Sequence, residues 1–296
     1  MTSPRKFAYA LTVLCCAPLM GIGTAHAQAN SEPPKLTLTA IDVPGAAITE
    51  VNGINSAGEM VGTYGQDFFG ALSGFLYSNG TFTYFDYPGE SVTSAQGIND
   101  SGLIAGLATQ EAGQRSTIVG FLYDGSTFTT LQDGKDSATS PYGINNAGTV
   151  VGDAGAIGVG RAFMMVNGKY SVVRLPGRCD LAFAAGINNF GEIVGYTICG
   201  LDEYGYLVRG GKIQDVQFPG SIQTAVSGIN DRGVMVGWYG AGANTYAFAY
   251  LNGRYISFQY PGALYTFASG INKSGQVAGS YTRSTIRPFT DSSLAP

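Results

Sequence analysis

Short segments in which apolar and polar residues alternate, separated by glycine-rich turns, run along most of the chain. In Thr81-Phe82-Thr83-Tyr84-Phe85-Asp86 threonine alternates with an aromatic residue over the first four positions, and Arg254-Tyr255-Ile256-Ser257-Phe258 similarly mixes polar with aromatic and aliphatic residues. Strict alternation over four to eight residues is typical of a half-buried β-strand. The pattern therefore predicts an all-β protein built from short antiparallel strands.

One phrase, Gly-Ile-Asn followed by a turn and an apolar run, occurs six times. The first copy is Gly53-Ile54-Asn55-Ser56-Ala57-Gly58-Glu59-Met60-Val61-Gly62. The copies begin at Gly53, Gly97, Gly143, Gly186, Gly228 and Gly270, at intervals of 44, 46, 43, 42 and 42 residues. Self-similarity at this period predicts a repeat architecture. Asn at the start and Gly at the end of a four-residue turn indicates a hairpin, so we interpret the six asparagines as turn caps and not as a ring of ligands.

Each copy fits a template of four strands. The first strand ends in Gly-Ile-Asn, the second is apolar with an internal glycine, and the fourth alternates and often ends in aromatic-Pro-Gly. The third centres on a small residue before an aromatic one: Gly74-Phe75, Gly120-Phe121, Ala162-Phe163, Gly205-Tyr206, Ala247-Phe248 and Pro288-Phe289. We expect the glycine of the second strand to leave room for the aromatic ring of the third. Four short antiparallel strands per repeat of about 44 residues predict a propeller blade.

The two ends of the chain predict a closed ring. Residues 36–42 form a lone fourth strand, whereas the last copy has a first strand (267–272), a second (276–281) and a short third (286–290) but no fourth. The two fragments together make one blade, and closure hides the strand edges that invite aggregation. The prediction is a six-bladed β-propeller over residues 36–290, with strand 36–42 completing the last blade. A β-solenoid is the alternative.

The first 27 residues have the pattern of a secretory signal peptide. Arg5-Lys6 precedes an uncharged apolar run, and Ala25-His26-Ala27 supplies a small-x-small cleavage pattern before Gln28. A membrane anchor is the alternative. Residues 28–35 then form a loose leader and 291–296 a tail. We expect a secreted or periplasmic protein with no stable membrane insertion after cleavage.

Cleavage changes the chemistry of the chain. It removes the only histidine, His26, together with two cysteines, and leaves Cys179 and Cys199. An even pair in an oxidising compartment suggests a disulfide. Counted outward from the fourth Gly-Ile-Asn turn, the two cysteines lie almost opposite each other at the mouth of the hairpin, within disulfide reach.

The residue inventory argues against common catalytic and metal sites. Without histidine, nucleophilic catalysis of the usual kind and a His-based metal site are excluded, and Asp-x-Asp-x-Asp calcium spacing does not occur. We therefore predict no catalytic residue, no metal and no cofactor. The chain has 16 basic and 20 acidic residues, so nucleic acid is not an expected partner. Glycoside hydrolysis needs only two carboxylates, and this keeps a carbohydrate-active enzyme as an alternative that would use Asp67, Glu111, Asp153, Asp202 or Glu203.

Loops between second and third strands, and crossings between copies, fall on one end of the predicted propeller. Here the six copies differ, and variable loops on a rigid scaffold are where binding usually occurs. Exposed aromatic faces stack on sugars and fill protein interfaces, although packing between blades is the alternative role for such rings. The candidate ligand-binding residues are Tyr64, Asp67, Phe68, Asp202, Glu203, Trp238, Tyr239 and Tyr281.

The repeated phrase resembles the bacterial extracellular HAF repeat family. The likeness covers roughly residues 36–290 and rests on Gly-Ile-Asn-x-x-Gly-x-apolar-apolar-Gly followed by Gly-Phe-Leu-Tyr or Ala-Phe. The histidine of His-Ala-Phe is absent; Gly74, Arg161 and Tyr246 stand near its place. The resemblance implies secretion and a repeat fold, and it carries no known reaction. We expect a non-catalytic binding scaffold for a glycan or another surface protein; a purely structural envelope protein is a further alternative.

Overall fold

The computed structural model describes residues 13–14, 37–67, 70–112, 115–132, 138–155, 160–175, 179 and 181–283. Within these ranges all regular secondary structure is β-strand. The all-β prediction is therefore confirmed.

The strands fall into units of consecutive antiparallel neighbours, each unit corresponding to one copy of the repeat. The first unit contains β2 (Ile48–Ile54), β3 (Met60–Gly65), β4 (Leu72–Ser78) and β5 (Thr81–Phe85). The second contains β6 (Val92–Ile98), β7 (Ile104–Ala112), β8 (Arg115–Tyr123) and β9 (Phe128–Leu131). The third contains β10 (Ala138–Ile144), β11 (Val150–Gly155), β12 (Arg161–Val166) and β13 (Lys169–Val172).

The remaining units follow the same order. The fourth contains β14 (Leu181–Ile187), β15 (Ile193–Cys199), β16 (Asp202–Arg209) and β17 (Lys212–Val216). The fifth contains β18 (Thr224–Ile229), β19 (Met235–Ala241), β20 (Asn244–Leu251) and β21 (Arg254–Phe258). The sixth contains β22 (Tyr265–Ile271) and β23 (Gln276–Thr282), and β23 also pairs with β1 (Val13–Leu14).

The turn between the first and second strands forms as the sequence predicts. In the first unit the Gly58 amide donates to the Asn55 carbonyl at 3.0 Å, and Gly58 has a φ of 83°. A side chain at that φ would be strained, so the glycine that closes the phrase has a conformational reason. The turn between third and fourth strands is equally regular, since Asn79 and Gly80 both have positive φ, as a type I′ hairpin requires.

Each first strand contains a β-bulge just before its Gly-Ile-Asn. In the first unit the register shifts between Val51 and Gly53, so Asn52 is an extra residue. Gly62 of the second strand pairs with Val51, and a Cβ there would collide with the Glu50 carbonyl and approach the Phe75 ring to 2.8 Å. The predicted relation between this glycine and the third-strand aromatic is confirmed, whereas the bulge was not predicted.

The core lies between neighbouring units. Phe75, Phe121, Phe163 and Phe248 of the third strands are completely buried, and Tyr206 of the fourth unit is nearly so. Core clusters cross the unit boundaries; one of them joins Val61 and Phe85 of the first unit to Ile98, Ile104 and Phe121 of the second. Burial of these side chains therefore holds successive units together.

The prediction of a strand at 36–42 is wrong for the described residues 37–42, which are not part of a strand. This segment still packs on the units: Leu38 lies against a cluster that includes Val236 and Ala268, and Ile41 against one that includes Phe75 and Ala278. A fourth strand needs a third strand as its hydrogen-bonding neighbour. The described neighbour at the outer edge of β23 is β1, while the predicted third strand 286–290 lies outside the described residues. So do the leader, the tail and most of the predicted signal peptide.

Candidate functional site

The two ends of the strands have different roles in this structure. The Gly-Ile-Asn turns and the turns between third and fourth strands lie at one end, which we call the turn face. The connections between second and third strands, and the crossings from one unit to the next, lie at the other end, which we call the loop face. On the turn face the Gly-Ile-Asn phrase and its closing glycine recur in every unit, whereas the loops of the loop face differ in length and sequence.

The asparagines of Gly-Ile-Asn form a continuous circuit on the turn face. Each side chain caps its own turn: Asn55 Oδ1 accepts hydrogen bonds from the Ala57 and Glu59 amides at 3.1 and 3.0 Å. Each Nδ2 also donates to the backbone carbonyl of the corresponding asparagine in the next unit, at 3.0–3.3 Å. The six donors are Asn55, Asn99, Asn145, Asn188, Asn230 and Asn272. The capping role was predicted, but the links between units were not.

Next to this circuit, isoleucine and glycine residues of all six phrases line the narrow central space around which the units are arranged. Two cavities of about 70 Å³ lie in line, and both are lined by the isoleucine of every Gly-Ile-Asn phrase. In the neighbouring glycine layer the backbones of adjacent units nearly touch, so a Cβ on Gly186 would lie 2.8 Å from the Ser227 carbonyl oxygen and 3.1 Å from the Gly228 Cα. In the half of the central space nearest the turn face, the isoleucine and glycine residues therefore pack neighbouring units closely together.

The next layer towards the loop face differs between units. It consists of residue pairs facing each other across the first and second strands: Glu50–Thr63, Ser94–Leu107, Ser140–Asp153, Phe183–Tyr196, Ala225–Trp238 and Phe267–Ser280. The first and third units contribute a carboxylate and a hydroxyl each, the second contributes Ser94 and Leu107, and each of the last three contributes at least one aromatic ring. The six copies therefore differ chemically at this level, as they also do at the bulge residues just before Gly-Ile-Asn, which are Asn52, Gln96, Tyr142, Ala185, Ser227 and Ser269.

Three of the predicted ligand-binding aromatics are packing residues. Trp238, Tyr239 and Tyr281 expose only 8%, 9% and 7% of their surface. The Tyr239 ring stacks on Phe218 with centroids 3.5 Å apart, and Tyr281 stacks on Tyr260 at 3.7 Å. Trp238 packs between Tyr196 and Phe267 of the neighbouring units, at 6.5 and 5.5 Å. The expectation of exposed aromatic faces is corrected here, because these rings fill the space between units.

The predicted residues of the first unit do not form a common site with these aromatics. Tyr64 is half-buried, and its ring contacts Tyr84 at a centroid distance of 4.8 Å. Asp67 is exposed in the loop after β3. Phe68 lies outside the described residues.

The fourth unit places the other two predicted residues at the start of β16. Asp202 accepts a hydrogen bond from the Tyr204 hydroxyl at 3.1 Å. Glu203 is buried, and its amide donates to the Ile222 carbonyl at 2.9 Å. Consecutive residues of a strand point to opposite faces of the sheet, so the two carboxylates do not face each other. They do not form the facing pair that glycoside hydrolysis needs.

Three exposed apolar residues lie near Asp202, and we call them the apolar patch: Leu201 and Tyr204 are close to it in the chain, and Ile222 lies on the segment that pairs with Glu203. Leu201 is 86% exposed, Ile222 is 65% exposed, and Tyr204 is also exposed. Among the described residues, the other large exposed apolar side chains lie on outer strands or on the turn face. Sequence reasoning missed Leu201 and Ile222, because other copies also have apolar residues in the corresponding loops, such as Phe68 and Leu264.

A disulfide fixes the base of this patch. Cys179 and Cys199 are bonded, with their Cα atoms 4.6 Å apart. In the paired strands Leu181 faces Ile198, so the two cysteines lie at the open end of the β14–β15 hairpin, as predicted. The bond joins the crossing into the fourth unit to the loop that carries Leu201.

Glu50 is a further residue that sequence reasoning missed. It lies on β2 opposite Thr63, whose hydroxyl is 2.6 Å from the Ser94 hydroxyl of the second unit. Desolvation by burial raises the pKa of Glu50 from 4.5 to about 7. This carboxyl therefore takes up and releases protons near neutral pH.

The described residues contain no group of three or more His, Cys, Asp and Glu side chains that could hold a metal ion. The same part of the chain contains no helix long and apolar enough to cross a membrane.

Comparison with known proteins supports the fold. No protein-family model and no curated protein matches this sequence. The structure is similar to TolB from Acinetobacter baumannii, with a TM-score of 0.54 and 12% identity, over 93% of this chain and 65% of that one. It is also similar to a putative TolB from Agrobacterium tumefaciens, with a TM-score of 0.56 and 13% identity, over 83% and 94% of the two chains.

A weaker likeness extends to the β-propeller domain of the Trilobed protease from Pyrococcus furiosus, with a TM-score of 0.47 and 7% identity, over 88% and 86% of the chains. This chain spans less than two thirds of the Acinetobacter protein. At such identities the likeness to the TolB structures shows the fold alone. The fold is all-β with propeller neighbours, and the resemblance to HAF repeats stays a prediction.

Proposed function

We propose that this chain is a secreted, non-catalytic HAF-type repeat protein, a closed six-bladed β-propeller that binds another extracellular or envelope protein through its loop face. The observation that carries the binding role is the exposed apolar patch of Leu201, Tyr204 and Ile222 beside Asp202.

Contacts between the first and last units support ring closure. Asn272 Nδ2 donates to the Asn55 carbonyl at 3.0 Å, which continues the circuit of amides from the sixth unit into the first. A Cβ on Gly270 would lie 3.5 Å from the Gly53 Cα, the same kind of close approach that the other units make. A solenoid would keep its two ends apart.

The chemistry of the patch favours a protein ligand over a glycan. Leu201 and Ile222 are aliphatic, and an exposed apolar patch with a polar rim is typical of a protein-binding surface. Sugars are bound mainly on exposed aromatic faces. The rings that the sequence offered for that role, Trp238, Tyr239 and Tyr281, are buried between units.

Secretion is supported by the disulfide together with the amino-terminal pattern. Disulfides persist in oxidising compartments, and the bond between Cys179 and Cys199 joins two segments of the loop face. A pinned loop loses less conformational entropy when a partner binds, which suits a binding surface.

The test uses the secreted protein as bait for envelope extracts and on a glycan array. Any captured protein is purified and its affinity measured directly. The Leu201→Ser/Ile222→Ser double variant should weaken binding at least tenfold, because truncating central interface side chains often costs more than 1 kcal/mol each.

The matched control is Phe190→Ser, which removes a 75% exposed apolar side chain from the turn face. It should leave the affinity unchanged. Equal affinity for the double variant and the wild type would overturn the assignment of the patch. A saturable glycan ligand without a protein partner would overturn the choice of ligand class.

A further inference from the structure

A surface groove of about 320 Å³ lies between the first and second units on the turn face, away from the proposed binding patch. Its walls are apolar and come from both units: Leu76, Phe85, Ile104 and Tyr123. Phe85 and Tyr123 stack across the boundary with ring centroids 4.7 Å apart. Its rim carries three carboxylates, Glu59, Asp100 and Asp124.

Glu59 is held in place by neutral donors. Its Oε2 accepts a hydrogen bond from Asn55 Nδ2 at 2.7 Å, and its Oε1 accepts one from the Ser78 hydroxyl at 3.0 Å. Both partners fix the position of the carboxylate without neutralising its charge.

The other two carboxylates are held in their ionised form. Partial desolvation opposes ionisation of Asp100, but hydrogen bonds from Asn146 and Ser56 and the charge of Lys273 bring its pKa below the usual value. Hydrogen bonds from the Thr127 and Ser126 amides lower the pKa of Asp124. The rim therefore stays negative at neutral pH, with Lys273 as a nearby cation.

At the boundary between the fourth and fifth units, the carboxylate equivalent to Glu59 binds a cationic side chain of the protein itself. There Glu192 occupies the position of Glu59 and accepts the same kind of hydrogen bond from Asn188, at 2.7 Å. Its carboxylate also binds the guanidinium of Arg209, through Nε to Oε1 and through Nη2 to Oε2 at 3.3 Å. The Arg209 guanidinium reaches the next unit, where Nη2 is 3.3 Å from the Cβ position of Gly233.

The first unit lacks this internal cation. Ser78 stands four residues after Gly74, just as Arg209 stands four after Gly205, so a hydroxyl replaces the guanidinium. The space is open, since nothing lies within 4 Å of the Cβ position of Gly102, the counterpart of Gly233. Asp124 in the second unit corresponds to Leu251 in the fifth. This difference gives the groove between the first and second units a further negative charge.

We propose that this groove binds the guanidinium or alkylammonium group of an incoming ligand. The carboxylate of Glu59 binds the charged group, just as Glu192 binds the guanidinium of Arg209 at the boundary between the fourth and fifth units. The apolar walls suit the methylene stem behind such a group, and the rim carboxylates suit its charge. The source of the group is either a free small molecule or an arginine or lysine side chain of a protein.

The experiment titrates the secreted protein with two probes and follows amide chemical shifts and heat. Free arginine tests a small-molecule source, and a blocked Gly-Gly-Arg-Gly-Gly peptide tests a side-chain source. The same peptide with citrulline in place of arginine is the uncharged control. We expect saturable binding of at least one arginine probe, shifts at Gly102 and Tyr123, no binding of the citrulline peptide, and weaker binding at higher salt.

Three variants test the geometry. Glu59→Gln should weaken binding about tenfold or more, because it removes a charge-assisted hydrogen bond. Ser78→Arg should abolish binding while leaving the protein folded, because it supplies the internal guanidinium that the fourth unit already has. Glu192→Gln should leave the affinity unchanged, since that carboxylate lies at another boundary.

Absence of saturable binding by both arginine probes would overturn the proposal. Unchanged binding in Ser78→Arg or in Glu59→Gln would also overturn it. The Leu201→Ser/Ile222→Ser variant should bind the arginine probes normally, so the two proposals fail or stand separately.

Discussion

Asn272 donates a hydrogen bond from its side-chain amide to the backbone carbonyl of Asn55, 217 positions earlier in the chain, at 3.0 Å. The Oδ1 atom of Asn272 accepts hydrogen bonds from the backbone amides of Ser274 and Gln276 at 3.1 and 3.0 Å. One buried side chain therefore shapes its own turn and ties the last unit to the first. A buried amide with several partners is costly to remove, because each partner left behind loses its hydrogen bond away from water.

Replacement of Asn272 by Ala should lower the free energy of unfolding by about 2–4 kcal/mol, since it leaves several backbone groups without partners. Urea unfolding followed by circular dichroism measures the change. Asn189→Ala is the matched control: this exposed residue bonds to the adjacent Asp231, and its loss should cost less than about 1 kcal/mol because water replaces the contact. Equal losses in the two variants would contradict the role given to the inner circuit.

The glycine layer at the centre should be intolerant of a single methyl group. Gly186→Ala would place a Cβ 2.8 Å from the Ser227 carbonyl oxygen, where backbone of the neighbouring unit has to move. We expect a loss of about 2 kcal/mol or more in the free energy of unfolding. Gly70→Ala meets only the end of the Asp67 side chain and should change stability by less than about 0.5 kcal/mol. A neutral Gly186→Ala variant would refute this account of the central packing.

Local relations were predictable from the sequence. The Gly-Ile-Asn turn, the pairing of second-strand glycine with third-strand aromatic, and the Cys179–Cys199 bond all depend on residues close in one hairpin or one unit. The circuit of amides was not predictable, because it joins residues of different units and depends on the relative placement of those units. The bulge at Asn52 was not predictable either. Every unit contains an extra residue at this position, so the bulge does not alter the spacing between copies of the repeat.

The candidate site was predicted less well than the fold. Tyr239 and Tyr281 lie at strand ends that face the loops, and their position alone suggested exposure. A signal for their burial existed: each follows an aromatic-Pro-Gly by the same spacing of 21 residues, and those aromatics, Phe218 and Tyr260, are the rings on which they stack. Exposure of Leu201 and Ile222 could not be read from the sequence, because isolated apolar residues in loops are more often packed.

The disulfide should stabilise the loop face more than any nearby contact. The bond closes a loop of 20 residues, and its replacement by Cys179→Ala/Cys199→Ala should cost about 3 kcal/mol through the gain in entropy of the unfolded chain. Peptide mapping without reductant tests the bond itself, and urea unfolding with and without reductant tests its contribution. The wild type in reductant should match the double variant. Free thiols in the protein purified from an oxidising compartment would show that the pairing does not form.

Glu50 should make stability depend on pH near neutrality. Burial raises its pKa to about 7 in the folded chain, whereas the carboxyl keeps its ordinary value of 4.5 when unfolded. Folding therefore favours the protonated form of the Glu50 carboxyl. Its advantage is complete below pH 4.5, declines as the unfolded chain ionises, and is lost once the pH has passed 7.

Glu50→Gln keeps the shape of the side chain and removes the ionisation. The variant should match the wild type at pH 4 and exceed it at pH 8 by about 2 kcal/mol, a value reduced from the full ionisation difference because the side chain is only half-buried. Thermal unfolding at a series of pH values measures the difference, and Asp215→Asn, at an exposed site on β17, should show no such trend. A constant difference between Glu50→Gln and wild type across this range would show that Glu50 ionises in the folded protein as it does in water.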